Sequence, residues 1–473
     1  MGLINRETEL AALAAALDDP PALFVLYGRR RVGKTALLRE VCRGRRHVFM
    51  MADLGTTHDH LRSFGGCLAR DLGEPEWENL TLPGWEEALR LCLRRAEEEP
   101  LVLVLDEFQH LVSAEPALAT ILQRLWDHDV QGSKLSIVLC GSYVSFMERE
   151  VLGVRNPLYG RRTGQLRLRL LEARYAGLFF PRWTAEERMT AVGILGGVPA
   201  YLRLFREDRD LETNVARTIL EPGAPLLEEP RFLMMEEVRE PQAYFSVCRA
   251  LAHGRHAPNE ITNASGLPYS GMAHLLNTLR GLSLVERRVP ATIRNPERTR
   301  RSLYRLQDDF VRFWFRFVWP NRTTLEAGDA ALVWKRKIAP HLAEHVAFAF
   351  EDAAAELLRQ ANRRGNLPAE YDRIGPWWHG AEEVDIVAVA DDGPLLLAEC
   401  KWSKKPVDLD VLERLVAKTA VVSKDLSNPP TRVDYALFSR SGFSERLREE
   451  AESRGVLLFT VGDVLGVGSE VGG

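Results

Sequence analysis

Gly28-Arg29-Arg30-Arg31-Val32-Gly33-Lys34-Thr35 is the stretch of this 473-residue chain whose residue types and spacing specify chemistry most directly. The two glycines let the backbone turn so that successive N–H groups, from Arg31 through Ala36, aim at phosphate oxygens. Lys34 is then expected to reach the β- and γ-phosphates of ATP, and Thr35 to hold Mg²⁺. Such a loop needs a strand before it and a helix behind it. The apolar run from Ala22 to Tyr27 and the helical spacing of residues 36–41 supply both.

Two further segments carry the groups that hydrolysis requires. The apolar run from Leu101 to Leu105 ends in Asp106-Glu107. At a strand tip Asp106 can hold Mg²⁺ through water, while Glu107 orients and deprotonates the attacking water. Residues 135–140 read as another buried strand, ending in Gly141-Ser142. Ser142 is thereby a candidate to sense the γ-phosphate, although an ordinary turn serine fits the same pattern. Arg161, in Pro157-Leu158-Tyr159-Gly160-Arg161, could neutralise transition-state charge in its own or a neighbouring subunit, or simply be solvated.

A second set of acids lies near the end of the chain. Glu383-Val384-Asp385-Ile386-Val387 and, after a turn at residues 391–394, Leu397-Ala398-Glu399-Cys400-Lys401 read as paired strands. Alternation places Glu399 and Lys401 on one face, about 7 Å apart along the strand. Asp385 and Glu399 together can bind Mg²⁺ or Mn²⁺ and activate water against a phosphodiester, with Lys401 stabilising developing charge. Glu351 shares a helical stripe with Ala347, Ala354 and Leu358, an acid on an apolar face that calls for a partner such as a metal. The competing reading is a non-cleaving domain in which Glu399 and Lys401 form an ion pair.

The elements that position these groups imply several domains, since 473 residues exceed one ordinary core. A formal charge of -4 confines any nucleic-acid contact to a local patch. Six cysteines without C-x-x-C spacing read as reduced thiols of a cytoplasmic protein. Nothing in the sequence reads as a membrane span. Residues 244–252, 258–264 and 269–281 read as three helices, followed by strands at 283–289 and 302–306 that enclose Arg287, Arg288, Arg294, Arg298, Arg300 and Arg301. This fits a winged helix-turn-helix whose wing meets DNA phosphates. A protein-packing module fits as well, because the third helix is poor in cations.

Residues 1 to about 220 resemble the archaeal-type ATPases of the STAND branch of the AAA+ superfamily. The resemblance rests on Asn5-Arg6-Glu7, the phosphate loop, Asp106-Glu107-Phe108-Gln109, Pro157 to Arg161 and Gly196-Gly197-Val198-Pro199. It implies an adenine pocket that includes Arg6 and Pro199. The family's opening Gly-Arg-Glu box stands here as Asn5-Arg6-Glu7, without its first glycine. Asp385, Glu399, Lys401 and Glu351 similarly resemble the acid, acid, lysine and helix glutamate of the PD-(D/E)XK nuclease core, with Val384 replacing the usual proline. The expected architecture is α/β throughout: an AAA+ core over 1–175, a helical lid and linker over 176–235, a winged helix over 236–322 and a restriction-endonuclease-like domain over 323–473. The expected activity is ATP hydrolysis coupled to a DNA nuclease. The alternative is a nucleotide-switched binding regulator with an inactive nuclease fold. DNA is the expected partner, and Arg161 leaves room for a homo-oligomer.

Overall fold

The computed structural model describes residues 2–78, 82–154 and 156–467. It divides into two compact units, Met1–Leu170 and Leu171–Gly473.

In the first unit β1 (Ala22–Tyr27), β2 (His47–Met51), β3 (Leu101–Asp106), β4 (Leu135–Gly141) and β5 (Gly164–Arg167) form one sheet in the order β2-β3-β4-β1-β5. Every pairing is parallel. All residues of β1, β3 and β4 are buried, as expected of strands covered on both faces. Leu13, Leu17, Leu37, Leu38 and Val41, from helices Glu7–Leu17 and Lys34–Cys42, pack with Leu26, Val104 and Val138 of the sheet. Because β4 separates β1 from β3, its C-terminal tip lies between the phosphate loop and the Asp106-Glu107 pair.

In the second unit the short helix Ala173–Ala176 precedes helix Ala185–Leu195, which is started by a reciprocal Thr184/Glu187 capping box. A Cβ on Gly197 would stand 1.9 Å from the Leu171 carbonyl oxygen, so only glycine fits there. Pro199 is the first residue of the short helix Pro199–Leu202 and is half-buried. Helices Pro241–Ala252, Pro258–Ser265 and Tyr269–Gly281 follow, then an antiparallel pair, β6 (Val285–Arg288) and β7 (Leu303–Leu306). The strands are shorter than their apolar pattern suggests, and residues 289–302 form the connection. Phe310, Phe313, Trp314 and Phe315 are fully buried, which assigns the aromatic run to packing.

Helix Leu342–Arg363 precedes a five-stranded sheet ordered β12-β11-β10-β9-β8. Its strands are β8 (Arg373–His379), β9 (Glu382–Val389), β10 (Pro394–Lys401), β11 (Arg432–Ser439) and β12 (Leu457–Thr460). β8, β9 and β10 pair antiparallel, whereas β10, β11 and β12 pair parallel. The sequence pattern omits β8, an edge strand carrying Pro376 at a register shift between Gly375 and Trp377. Such irregularity is tolerated at an edge. All six cysteines are buried free thiols. Among the described residues no helix is long and apolar enough to cross a membrane.

Candidate functional site

The phosphate loop begins where β1 ends, and its conformation depends on both glycines. A Cβ on Gly28 would lie 2.4 Å from the Leu168 carbonyl oxygen, and Gly33 has φ +100° at the cap of helix Lys34–Cys42. Arg31 also adopts a left-handed conformation, φ +67°. The buried Lys34 Nζ donates to the carbonyl oxygens of Gly28 and Arg29 at 2.8 and 3.1 Å. This folds the ammonium over the loop, where phosphate oxygens would replace the carbonyls. Val32 is buried, whereas Ala36 is exposed at the first helical turn.

Thr35 Oγ1 donates to Asp106 Oδ2 at 2.8 Å. Asp106 is fully buried, and its Oδ1 accepts the Glu107 N–H at 3.0 Å. A hydroxyl and a buried carboxylate from separate elements thus meet beside the loop, a donor set of the chemistry that Mg²⁺ takes. Glu107 has φ +56°, so the chain turns sharply at the strand tip. Its Oε2 accepts from Ser142 Oγ at 2.6 Å and also from Gln109 Nε2, which lies 3.3 Å from Ser142 Oγ. Gln109, for which the sequence pattern gives no role, is therefore part of the site.

Arg6 is buried, and its guanidinium donates to the carbonyl oxygens of Arg169 at 2.7 Å and Val32 at 3.5 Å, with Glu9 at 2.8 Å. In this arrangement it braces the loop. Arg161 is held bidentately by Asp127 at 2.7 and 2.8 Å. β5 pairs in parallel with β1 from Gly164 opposite Phe24, so Arg161 precedes the N-terminal ends of these strands, whereas the phosphate loop follows their C-terminal ends. That register corrects the same-subunit alternative: within one chain Arg161 stands at the opposite end of the sheet.

In the second unit Asp385 Oδ2 accepts the Cys400 N–H at 2.7 Å, which fixes it across the β9–β10 hairpin. Lys401 Nζ donates to Glu399 Oε1 at 2.6 Å, and Lys418 Nζ lies 3.5 Å from Glu399 Oε2. Burial, then the nearby Asp385 carboxylate, raises the Glu351 carboxyl above its usual range; burial, then Glu399, does the same for Asp385. Burial opposes the Lys401 charge, but the hydrogen bond and charge of Glu399 raise it overall. Among the described residues no group of three or more His, Cys, Asp or Glu forms a ready metal centre. The mutually repelling acids have the donor chemistry that a divalent cation takes, but their present spacing is not a formed site.

The six arginines around β6 and β7 do not form one cationic face. Arg287 donates to the Pro296 and Thr299 carbonyl oxygens at 2.7 and 2.6 Å. Arg288 lies near Glu286 and Asp352, Arg294 pairs with Asp391 at 3.3 Å, and Arg301 with Asp425 at 2.6 Å. Arg298 and Arg300 are exposed. Four of the six guanidiniums are thus engaged by carbonyls or carboxylates.

A family model described as an ATPase domain predominantly from Archaea matches residues 3–205. A second, described as archaeal and bacterial proteins of unknown function, matches residues 314–414, the interval that holds Glu351, Asp385, Glu399 and Lys401. An uncharacterized protein of Methanocaldococcus jannaschii is 31% identical over 410 residues, covering 86% of this chain and 89% of that one. Among solved structures, the Walker-type ATPase of Pyrococcus abyssi has a TM-score of 0.51 at 22% identity, covering 66% of this chain and 96% of that one. That likeness is one of fold.

Proposed function

This chain belongs to the archaeal-type P-loop ATPases, and from that premise we propose that it hydrolyses ATP·Mg²⁺ and that nucleotide state governs a C-terminal metal-dependent nuclease acting on DNA. The observation that carries the first half is the contact of Thr35 with Asp106 beside a glutamate held by Ser142. Backbone amides of residues 31–36 and the Lys34 ammonium bind the β- and γ-phosphates. Thr35 and Asp106 would hold Mg²⁺, which when bound would supply charge neutralisation on the phosphates. Glu107 takes the proton from the attacking water, and Ser142 orients Glu107. Arg6 is assigned to the adenine end. Arg161, placed away from the loop of its own chain, acts only if a homo-oligomer presents it to a neighbour.

For the second unit, three helices followed by a short antiparallel pair support a winged-helix reading, with Arg298 and Arg300 as the exposed contacts to DNA phosphates. The order and directions of β8 to β12 behind a long helix support a PD-(D/E)XK-like core. In that reading Glu351, Asp385 and Glu399 would hold Mg²⁺ or Mn²⁺, and the ion would supply Lewis-acid activation of water and phosphodiester. Lys401 steadies the charge that develops. A second reading, a nucleotide-switched regulator whose C-terminal domain does not cut, is favoured by the engagement of Glu399 with Lys401 and Lys418.

The deciding experiment measures cleavage of single- and double-stranded DNA in Mg²⁺ or Mn²⁺, with and without ATP, for the intact chain and Glu399→Ala. Cutting that the substitution abolishes supports the nuclease. ATP hydrolysis without cutting by either protein leaves the regulator reading in place.

A further inference from the structure

A cavity of about 660 Å³ opens within the second unit, between the end of helix Pro241–Ala252, β7, the aromatic segment and the start of helix Leu342–Arg363. Arg305, Arg312, Arg316 and Lys337 line it, against one lining carboxylate, Glu344, among the described residues. Glu344 is paired with Arg316 at 2.8 Å.

The two inner guanidiniums are incompletely satisfied. Arg312 gives Nη2 to Asp309 at 2.7 Å, but its Nε and Nη1 have no hydrogen-bond partner. Arg305 gives Nη2 to Asp352 at 2.6 Å and Nε to Glu286 at 3.0 Å, while its Nη1 has none. Both residues are more than nine-tenths buried. Buried donors without acceptors are uncommon and mark a place for an ion or bound group. The local field agrees: burial first, with Arg249 and Arg316 among the other causes, holds His253 at the cavity wall below its usual range.

We propose that this cavity binds the phosphate groups of a mononucleotide-sized anion. Guanidinium forks match phosphate oxygens in pairs, and the volume falls within the roughly 300–1,000 Å³ of small-ligand pockets. Phe317, Pro320 and Phe348 give the cavity an apolar wall for the rest of such a ligand, with the Arg312 guanidinium 5.4 Å from the Phe348 ring centre. Arg305 also links the cavity to Asp352, the neighbour of Glu351. An anion bound at Nη1 therefore shares one guanidinium with Asp352, which is held at Nη2.

The test uses the intact chain carrying Lys34→Ala, which removes the phosphate loop's contribution. Calorimetric titrations employ inorganic pyrophosphate, AMP and a 5′-phosphorylated tetranucleotide. At least one probe is expected to saturate a single site, and its affinity to fall at least tenfold when Arg316→Gln and Lys337→Gln are added. Those changes leave the Arg305 and Arg312 ion pairs in place, and an unchanged circular dichroism spectrum checks the fold. The probe that binds most tightly identifies a small phosphorylated molecule or a nucleic-acid end as the source of the phosphate. Absence of binding by all three, or binding unaffected by the double substitution, overturns the proposal, and neither result bears on ATP hydrolysis at the phosphate loop.

Discussion

The Ser142 hydroxyl donates to Glu107 Oε2 at 2.6 Å across the gap between the tips of β4 and β3. The strand order β3-β4-β1 brings this contact next to the phosphate loop, so in the proposed hydrolysis the serine orients the Glu107 carboxylate. Ser142→Ala is expected to lower kcat for ATP by about 10- to 100-fold, within the range for acid–base positioning, with little change in ATP affinity. Phosphate release and equilibrium nucleotide binding separate the two quantities. A normal kcat would return Ser142 to the role of a turn residue.

Glu107→Gln removes the base while keeping the hydrogen bonds that its neighbours make. Hydrolysis should fall by about 10²- to 10⁴-fold, and ATP should stay bound. Lys34→Ala, by contrast, should lose nucleotide binding itself, because the buried ammonium is the group proposed to bind the phosphates. Filter binding with labelled ATP distinguishes these outcomes. Equal loss of binding in both variants would mean that Glu107 supports the loop rather than the chemistry.

The phosphate loop and the two acids after it are legible in the sequence because their geometry is local: a strand, a turn and a helix within a few residues. Gln109 is harder to read. Its partner Ser142 lies 33 positions on, and only the neighbouring of β3 and β4 joins them. The arginines around β6 and β7 show the same limit. Their composition suggests a cationic wing, but the acids that engage them, Asp352, Asp391 and Asp425, come from a helix and loops that the fold carries back to them. Arg161 was ambiguous for a related reason, since the end of the sheet it occupies depends on the register of β5 with β1.

Asp425 joins the β6–β7 connection to the C-terminal sheet. It accepts from Thr292 at 2.8 Å, from Arg301 at 2.6 and 2.9 Å and from Trp377 Nε1 at 2.8 Å. Asp425→Ala strands these donors and should destabilise the second unit by about 2–4 kcal/mol, measured by urea unfolding. Burial works to raise this carboxyl, but the bonds from Thr292, Trp377 and Arg301 outweigh it and hold the group below its usual range. Its stabilising contribution is therefore complete above the unfolded value of about 3.9 and is lost as pH falls through the lower folded value. Asp425→Asn should flatten stability against pH in that acid window. An identical acid limb in wild type and variant would show that Asp425 is not linked to acid unfolding.

His345 supplies a second pH dependence, at higher pH. It is wholly buried between Phe313 and Phe317, with ring centres 5.5 Å away in each case, and its Nε2 pairs with the Gly193 carbonyl oxygen at 2.9 Å. Burial, followed by the charges of Arg312 and Arg316, holds the imidazole well below its usual range. The unfolded chain consequently takes up the proton first as pH falls. Stability from this group is complete above about 6.5 and declines by at most about 1.4 kcal/mol per pH unit below it, until the folded value is reached. His345→Gln keeps a donor for Gly193 without a titrating ring, so its urea midpoint should be lower at pH 7.5 but should fall less steeply between pH 6.5 and 5. If wild type and variant lose stability in parallel over that interval, the buried imidazole is not the group that the proton seeks.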